Sequence, residues 1–196
     1  MDSLATRYDV ALLDLDGVVY VGDHVLEHAT DALAAARAAG MSLTFVTNNA
    51  SRPPDVVAER LRSFGVPASG REVVTSAQAA ARVVAEHVPA GARILVIGGA
   101  GLEYALRERG LQPVTGLADD PVAVVQGFDP AIDWSRLAEA SYAVHAGLLW
   151  VASNADSTIP TSRGIAPGNG TLVAAVHAAT GRHPIVAGKP ELPMHR

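Results

Sequence analysis

Buried strands and amphipathic helices alternate along the chain, and this alternation constrains the fold more than any other feature of the sequence. The run Val10 to Leu15 has the short apolar pattern of a buried strand, and residues 28–39 have the spacing of a helix. Met41 to Val46 then predicts a second strand, and 55–64 a second helix. Because short strands alternate with helices, the sequence predicts an α/β fold with a parallel sheet.

The same alternation continues through the rest of the chain. We predict further helices over 76–86, 102–109, 134–145 and 171–180, and further strands over 93–97, 121–126, 148–152 and 184–187. Residues 153–170 are rich in Gly, Pro, Asn and Ser and are predicted to form a loop.

Two carboxylates follow the first predicted strand, in the order Asp14-Leu15-Asp16-Gly17. Open α/β sheets bind ligands beyond the C-terminal ends of their strands, and carboxylate oxygens suit Mg²⁺. One carboxylate could attack phosphorus while the other serves as general acid and base. The structural alternative is a turn with two solvated aspartates, and these residues alone do not decide between the two.

The second predicted strand ends in Thr47, Asn48 and Asn49. A hydroxyl, an amide and several backbone N–H groups at this point would suit phosphate oxygens. The structural alternative is a loop that caps the next helix, where Thr and Asn are common.

Lys189 is the single lysine among 15 basic residues, and it stands in a Gly-Lys-Pro turn after a late predicted strand. A compact ammonium group could neutralise both a carboxylate and a phosphoryl group, where a planar guanidinium would not fit. A solvated surface lysine is the alternative interpretation.

Taken in order, the segments LLDLDGVVY, FVTNNASR, VASNADSTIP, APGNGTLVAAV and VAGKP resemble the haloacid dehalogenase (HAD) superfamily of phosphotransferases. Within it they are most similar to the p-nitrophenylphosphatase-like branch, subfamily IIA, which includes glycerol-3-phosphate and phosphoglycolate phosphatases. The resemblance implies a Rossmann-like parallel-sheet core, incomplete at the C-terminus, with an inserted α/β cap domain.

This resemblance also implies catalytic roles for three residues. Asp14 would be the nucleophile that forms an aspartyl-phosphate, Asp16 the general acid and base, and Lys189 the group that orients and neutralises the phosphoryl group. Mg²⁺ would be held by the Asp14 carboxylate and the Asp16 backbone carbonyl. The implied activity is Mg²⁺-dependent hydrolysis of small phosphorylated metabolites, and the sequence does not name the phosphoester.

The binding residues follow from the same resemblance. Thr47, Asn48 and Asn49 would bind the substrate phosphate. In the cap, the loop from Asn154 to Asp156 would reach the substrate, and a polar loop with satisfied turn residues is the alternative. The family also allows a homodimer through the cap.

The spacing of the motifs predicts where the cap is inserted. Only one strand–helix–strand unit fits between Asp14 and Thr47, whereas the stretch from Thr47 to Lys189 far exceeds one crossover. We therefore expect a HAD core over 1–76 and 184–196 and a cap over 77–183. The family pattern continues beyond the lysine with further carboxylates that complete the Mg²⁺ site. We accordingly expect residues 1–196 to be a fragment with weak Mg²⁺ binding and little or no turnover.

Composition excludes several classes of function. The chain has no cysteine, which excludes thiolate zinc sites, iron–sulfur clusters and cysteine nucleophiles. A net charge of −5 weighs against a nucleic-acid partner bound by a broad basic face. No apolar run reaches the length of a membrane span, and the N-terminus lacks the pattern of a signal peptide. We expect a soluble, cytoplasmic protein without membrane or nucleic-acid partners.

Two other functions stay open at this level. The segment RILVIGGAGLEYAL combines a strand, a glycine turn and a helix, as dinucleotide-binding oxidoreductases do, but Tyr104 stands where the third glycine belongs. A pseudoenzyme or non-catalytic phospholigand-binding protein would use the same loops without turnover. Phosphate release would distinguish a phosphatase from both.

Overall fold

The computed structural model describes residues 4–161 and 163–195. Arg196, where the predicted core segment ends, lies outside the described residues, as do the first three residues. The strands are Val10–Leu13 (β1), Tyr20–Val21 (β2), His24–Val25 (β3), Ser42–Thr47 (β4), Val73–Thr75 (β5), Arg93–Ile97 (β6), Gln112–Val114 (β7), Ala123–Gln126 (β8), Leu149–Ala152 (β9), Thr158–Thr161 (β10), Gly164–Pro167 (β11) and Ile185–Val186 (β12).

Six α-helices lie between these strands in the described part of the chain: Ala29–Ala38 (α1), Pro54–Ser63 (α2), Ser76–His87 (α3), Ala100–Glu108 (α4), Trp134–His145 (α5) and Asn169–Thr180 (α6). Short 3-10 turns occur at Leu4–Thr6, Gly70–Glu72, Leu117–Asp119 and Leu192–His195. The predicted α/β fold with parallel sheets is confirmed.

The chain divides into two units. The first comprises the described residues up to Thr47, together with Pro54–Val74 and Pro160–Gly164. The second comprises Asn48–Pro53, Thr75–Ile159 and the described residues from Ile165 onward.

The first unit is built on a sheet in the order β1-β4-β5. β1 and β4 are parallel, with Val10 opposite Ser42 and Leu13 opposite Phe45. Strands β2 and β3 form an antiparallel hairpin directly after the turn that follows β1. Apolar side chains from the sheet and from both helices form the core of this unit, among them Leu15, Leu33, Leu43, Phe45, Leu61 and Val73.

The second unit is built on a parallel sheet in the order β12-β9-β8-β6-β7. All four residues of β8 are buried. Strands covered on both faces carry continuous apolar runs, which explains why apolar runs without a two-residue alternation marked them in the sequence. The core of this unit includes Leu95, Ile97, Val124, Val144, Trp150 and Val176.

Several elements differ from the expectations drawn from sequence. The loop predicted over 153–170 contains the paired strands β10 and β11, and the glycine-containing loop after β1 contains the hairpin of β2 and β3. Strand β12 pairs in parallel with β9 in the second unit. The core over 1–76 and 184–196 and the cap over 77–183 stay predictions.

No helix in the described parts of the chain is both long and apolar enough to cross a membrane.

Candidate active site

Asp14 and Asp16 lie in the turn after β1, and both are exposed. The Asp14 carboxylate accepts a hydrogen bond from the Leu15 amide at 2.8 Å, and the Leu15 side chain between them is fully buried. Gly17 has a φ of 80°, a conformation that glycine adopts at no steric cost, and its amide donates to the Tyr20 carbonyl at 2.9 Å. The buried leucine and the glycine turn therefore hold the two carboxylates at the end of β1.

Thr47 is the last residue of β4, and its side chain is buried. Leu13 at the end of β1 pairs with Phe45 of β4 in the parallel register. Neighbouring parallel strands end at the same edge of their sheet, which is where open α/β sheets place ligands. The first unit thus brings Asp14 and Thr47 to one sheet edge, and their roles there stay predictions.

Arg60 of α2 holds the hairpin that follows Asp16. Its guanidinium donates to the Gly22 carbonyl and, at 2.9 Å, to the Asp23 carboxylate. Sequence reasoning missed Arg60, because neither its spacing nor its position on an amphipathic helix distinguishes it from a solvated arginine.

Asn48 joins three segments of the second unit. Its side-chain Oδ1 accepts from the Lys189 amide at 2.8 Å, and its Nδ2 donates to the Lys189 carbonyl at 3.1 Å and to Asp156 Oδ2 at 3.0 Å. Its backbone carbonyl accepts from Ser76 Oγ at 2.5 Å and from Asn154 Nδ2 at 2.8 Å. The second unit therefore brings together four of the predicted site residues: Asn48, Asn154, Asp156 and Lys189.

The loop from Asn154 to Asp156 follows β9 and rests on the start of α6. Asn169 Nδ2 donates to the Asn154 carbonyl at 2.7 Å, and the Gly170 amide donates to the Asp156 carbonyl at 2.8 Å. A Cβ at Gly170 would lie 2.2 Å from the Ala155 carbonyl oxygen, so only glycine allows this approach. The glycines around Asn169, which the sequence linked to no function, shape this loop.

Gly188 sets the position of Lys189. Strands β9 and β12 are parallel, so the segments that follow them run side by side. A Cβ at Gly188 would lie 2.5 Å from the Ser153 carbonyl oxygen and 2.7 Å from Asn48 Oδ1. The Gly-Lys step therefore lies directly against the Asn48 carboxamide.

Asn49 makes a local turn. Its Oδ1 accepts from the Ser51 amide at 2.9 Å and from Ser51 Oγ at 2.6 Å. Such local hydrogen bonds fit the structural alternative for this segment, a loop that caps the next helix. A role for Asn49 in phosphate binding stays a prediction.

The glycine turn after β6 has a packing explanation. The Gly101 amide donates to the Ser51 carbonyl at 3.2 Å, and a Cβ at Gly101 would lie 2.4 Å from the Ala50 carbonyl oxygen. The glycine lets the start of α4 approach the backbone of residues 50–52, which accounts for the pattern without a dinucleotide.

The donors at the end of β1 fit a magnesium ion. Mg²⁺ is commonly bound by one or two carboxylates, with water and substrate phosphate completing its octahedron. The Asp14 carboxylate is an exposed oxygen donor of this kind at a strand end, and the backbone carbonyl of the exposed Asp16 would add a second oxygen. Across residues 4–161 and 163–195, no group of three or more His, Cys, Asp or Glu side chains is placed to hold a metal.

Comparison with known proteins identifies the family. A sequence model described as haloacid dehalogenase-like hydrolase matches residues 11–112, about half of the chain. An acid sugar phosphatase from Staphylococcus saprophyticus is 37% identical over 187 residues, which are 94% of this chain and 70% of that protein. The chain belongs to the haloacid dehalogenase-like hydrolases. A D-glycerol 3-phosphate phosphatase from Mycobacterium tuberculosis is 48% identical to this HAD-like hydrolase over 190 residues, 97% of the chain and 53% of that protein.

Solved structures support the same assignment. The glycerol phosphate phosphatase of M. tuberculosis in complex with magnesium matches the HAD-like hydrolase with a TM-score of 0.95 and 47% identity, over 100% of this chain and 58% of that one. A p-nitrophenyl phosphatase from Archaeoglobus fulgidus matches with a TM-score of 0.85 and 30% identity, over 95% of this chain and 70% of that one. The chain thus spans little more than half of the mycobacterial relatives. The predicted subfamily IIA is confirmed, and the dinucleotide-binding and pseudoenzyme alternatives are not favoured.

Proposed function

We propose that this HAD-like hydrolase is a Mg²⁺-dependent phosphatase of small phosphorylated metabolites. The observation that carries the proposal is the parallel pairing of β1 with β4, which delivers Asp14 and Thr47 to one sheet edge. A carboxylate nucleophile beside a phosphate-binding hydroxyl is what phosphoryl transfer to an aspartate requires. Phosphatases among the relatives give independent support.

The proposed reaction has two steps. An Asp14 carboxylate oxygen attacks phosphorus, the bond from phosphorus to the leaving oxygen breaks, and Asp16 gives that oxygen a proton. Water then attacks the phosphorus of the aspartyl-phosphate and passes a proton to Asp16, and the bond from phosphorus to the Asp14 oxygen breaks. Inorganic phosphate leaves, and both carboxyl groups return to their starting protonation states.

The remaining groups position the phosphoryl group and neutralise its negative charge. The Thr47 hydroxyl and the backbone amides that follow it, through Asn49, donate to the phosphoryl oxygens, and the Lys189 ammonium offsets their charge. The Asp14 carboxylate and the Asp16 backbone carbonyl would hold Mg²⁺, which when bound neutralises phosphoryl charge.

Substrate choice is assigned to the loop from Asn154 to Asp156, within a cap over 77–183 that also offers a homodimer interface. One relative is named a D-glycerol 3-phosphate phosphatase and another an acid sugar phosphatase. Small polyol and sugar phosphates are therefore the first substrates to test.

A phosphate-release assay over such phosphoesters, with Mg²⁺ or with a chelator, tests the proposal. We expect Mg²⁺-dependent release that Asp14→Asn abolishes and that Asp9→Asn retains, because Asp9 is an exposed carboxylate just before β1. The same assay measures whether residues 1–196 turn over as slowly as expected. Beryllium fluoride with Mg²⁺ mimics a phosphoryl group on aspartate and should raise the Tm of the parent protein but not of Asp14→Asn. Equal phosphate release by parent and Asp14→Asn would refute the proposal.

A further inference from the structure

The side chain of Asn48 is committed to protein partners. A carboxamide has two N–H donors and one carbonyl acceptor. Its donors reach the Lys189 carbonyl at 3.1 Å and the Asp156 carboxylate at 3.0 Å, and its oxygen accepts from the Lys189 amide at 2.8 Å. A phosphate oxygen needs donors, and both N–H groups of this side chain are engaged.

We propose that Asn48 is a positioning residue that fixes Lys189 and Asp156, instead of binding the phosphoryl group through its side chain. This inference rests on the proposed function, in which Lys189 offsets the charge of the phosphoryl group. It changes the role that the family resemblance implied for Asn48, and it leaves the backbone amides near Thr47 as phosphate donors.

The geometry at Lys189 supports a two-point clamp. One carboxamide binds both the N–H and the C=O of Lys189, which fixes the position of this residue's backbone as a single contact would not. Gly188 packs against the same carboxamide, because any Cβ there would lie 2.7 Å from Asn48 Oδ1. These contacts therefore fix the position of the Lys189 Cα, from which the side chain extends, relative to the end of β12.

The Asn48 backbone anchors the clamp. Its carbonyl accepts from Ser76 at the start of α3 and from the side chain of Asn154 in the loop after β9. The loop that holds Asp156 is itself fastened to α6 through Asn169. Loss of the carboxamide should therefore release Lys189 and Asp156 while the surrounding elements stay folded.

Amide hydrogen exchange tests the clamp without any need for turnover. We expect Asn48→Ala to speed exchange of the Lys189 amide by about tenfold, because its acceptor is lost. Asn48→Asp keeps an acceptor for that amide but sets a carboxylate against the Asp156 carboxylate and the Lys189 carbonyl, so exchange of the Lys189 amide should speed up in this variant too. As a control, Gln112→Ala removes an exposed carboxamide from β7 and should leave exchange of the Lys189 amide unchanged. Unchanged exchange at Lys189 in Asn48→Ala would overturn the proposal.

A double-mutant cycle on phosphatase activity separates positioning from direct phosphate binding. Alone, Asn48→Ala should lower kcat by about 100-fold, the cost of a displaced catalytic group. In a Lys189→Met background, Asn48→Ala should lower kcat by less than about threefold, because the Lys189 ammonium that Asn48 positions is gone. Effects that multiply in full would show that Asn48 contacts the substrate directly. If the parent protein neither releases phosphate nor gains Tm with beryllium fluoride and Mg²⁺, the proposed function fails, and the exchange experiment still decides whether the clamp exists.

Discussion

The guanidinium of Arg60 lies over the ring of Tyr20, with 4.9 Å between the guanidinium carbon and the ring centroid. The same side chain donates to the Gly22 carbonyl and to the Asp23 carboxylate. One residue of α2 therefore fastens both ends of the β2–β3 hairpin turn, directly after the predicted catalytic carboxylates.

Arg60→Ala should loosen this hairpin. Loss of the cation–π contact and of a backbone hydrogen bond should lower the free energy of unfolding by about 1 to 2 kcal/mol. Amide exchange over 20–25 should speed up most, and Arg60→Lys should recover only part of the loss because an ammonium lacks the planar fork. Arg71→Ala, at an exposed site, is the matched control. Equal exchange over 20–25 in both variants would refute the prediction.

Gly188→Ala should destabilise the second unit. The new methyl would lie 2.5 Å from the Ser153 carbonyl oxygen, and backbone must move to relieve the overlap. We expect a loss of about 1 to 3 kcal/mol in urea unfolding. At Gly116 the nearest atoms to an added Cβ are 3.8 Å away, so Gly116→Ala should cost much less. Equal losses at the two positions would contradict the steric explanation.

Glu72 should make stability depend on pH. Burial raises the pKa of its carboxyl, but hydrogen bonds from Arg37 and Ser69 outweigh burial, so the folded-state pKa lies below the ordinary value of 4.5. The Arg37 guanidinium is 2.7 Å from the carboxylate, and the Ser69 amide donates at 2.8 Å. A carboxyl with a depressed pKa stabilises the fold above its unfolded pKa, and this stabilisation is lost as the pH falls through the folded pKa.

Glu72→Gln should therefore lower the urea midpoint at pH 7, and the gap to the parent protein should close as the pH falls below about 4.5. Glu59→Gln, an exposed change on α2, controls for the loss of a charge. A gap between Glu72→Gln and the parent that stays constant from pH 7 to pH 3 would show that ionisation of Glu72 does not contribute.

Asn169→Ala should free the loop from Asn154 to Asp156. The Asn169 side chain is 1% exposed and donates to the Asn154 carbonyl at 2.7 Å. Its removal leaves that carbonyl unpaired, which costs about 1 to 3 kcal/mol. Asn169→Asp should cost more, because a buried carboxylate would face a carbonyl oxygen. Unfolding midpoints of the two variants check this order, and an Asp variant as stable as the parent would contradict it.

Much of the fold follows from local pattern. Apolar runs placed β6, β8 and β9 correctly, and helix spacing placed α5 at Trp134–His145 as predicted. Short elements were harder to predict. Strands β2 and β3 have two residues each, and their hairpin is stabilised by Arg60, which lies on a helix far along the chain. The hydrophobic periodicity of the sequence does not show which distant side chain contacts a hairpin.

The chemistry of the strand ends was set by the sequence alone: carboxylates after β1, a hydroxyl and amides after β4, and the single lysine after β12. Only the tertiary structure decided what each of them contacts. Asn48 was predicted as a phosphate ligand, yet its carboxamide binds the backbone of Lys189, 141 residues away. Residue types limit which bonds are available, whereas hydrogen bonds have a range of about 3 Å, so the packing of distant segments determines which of them form.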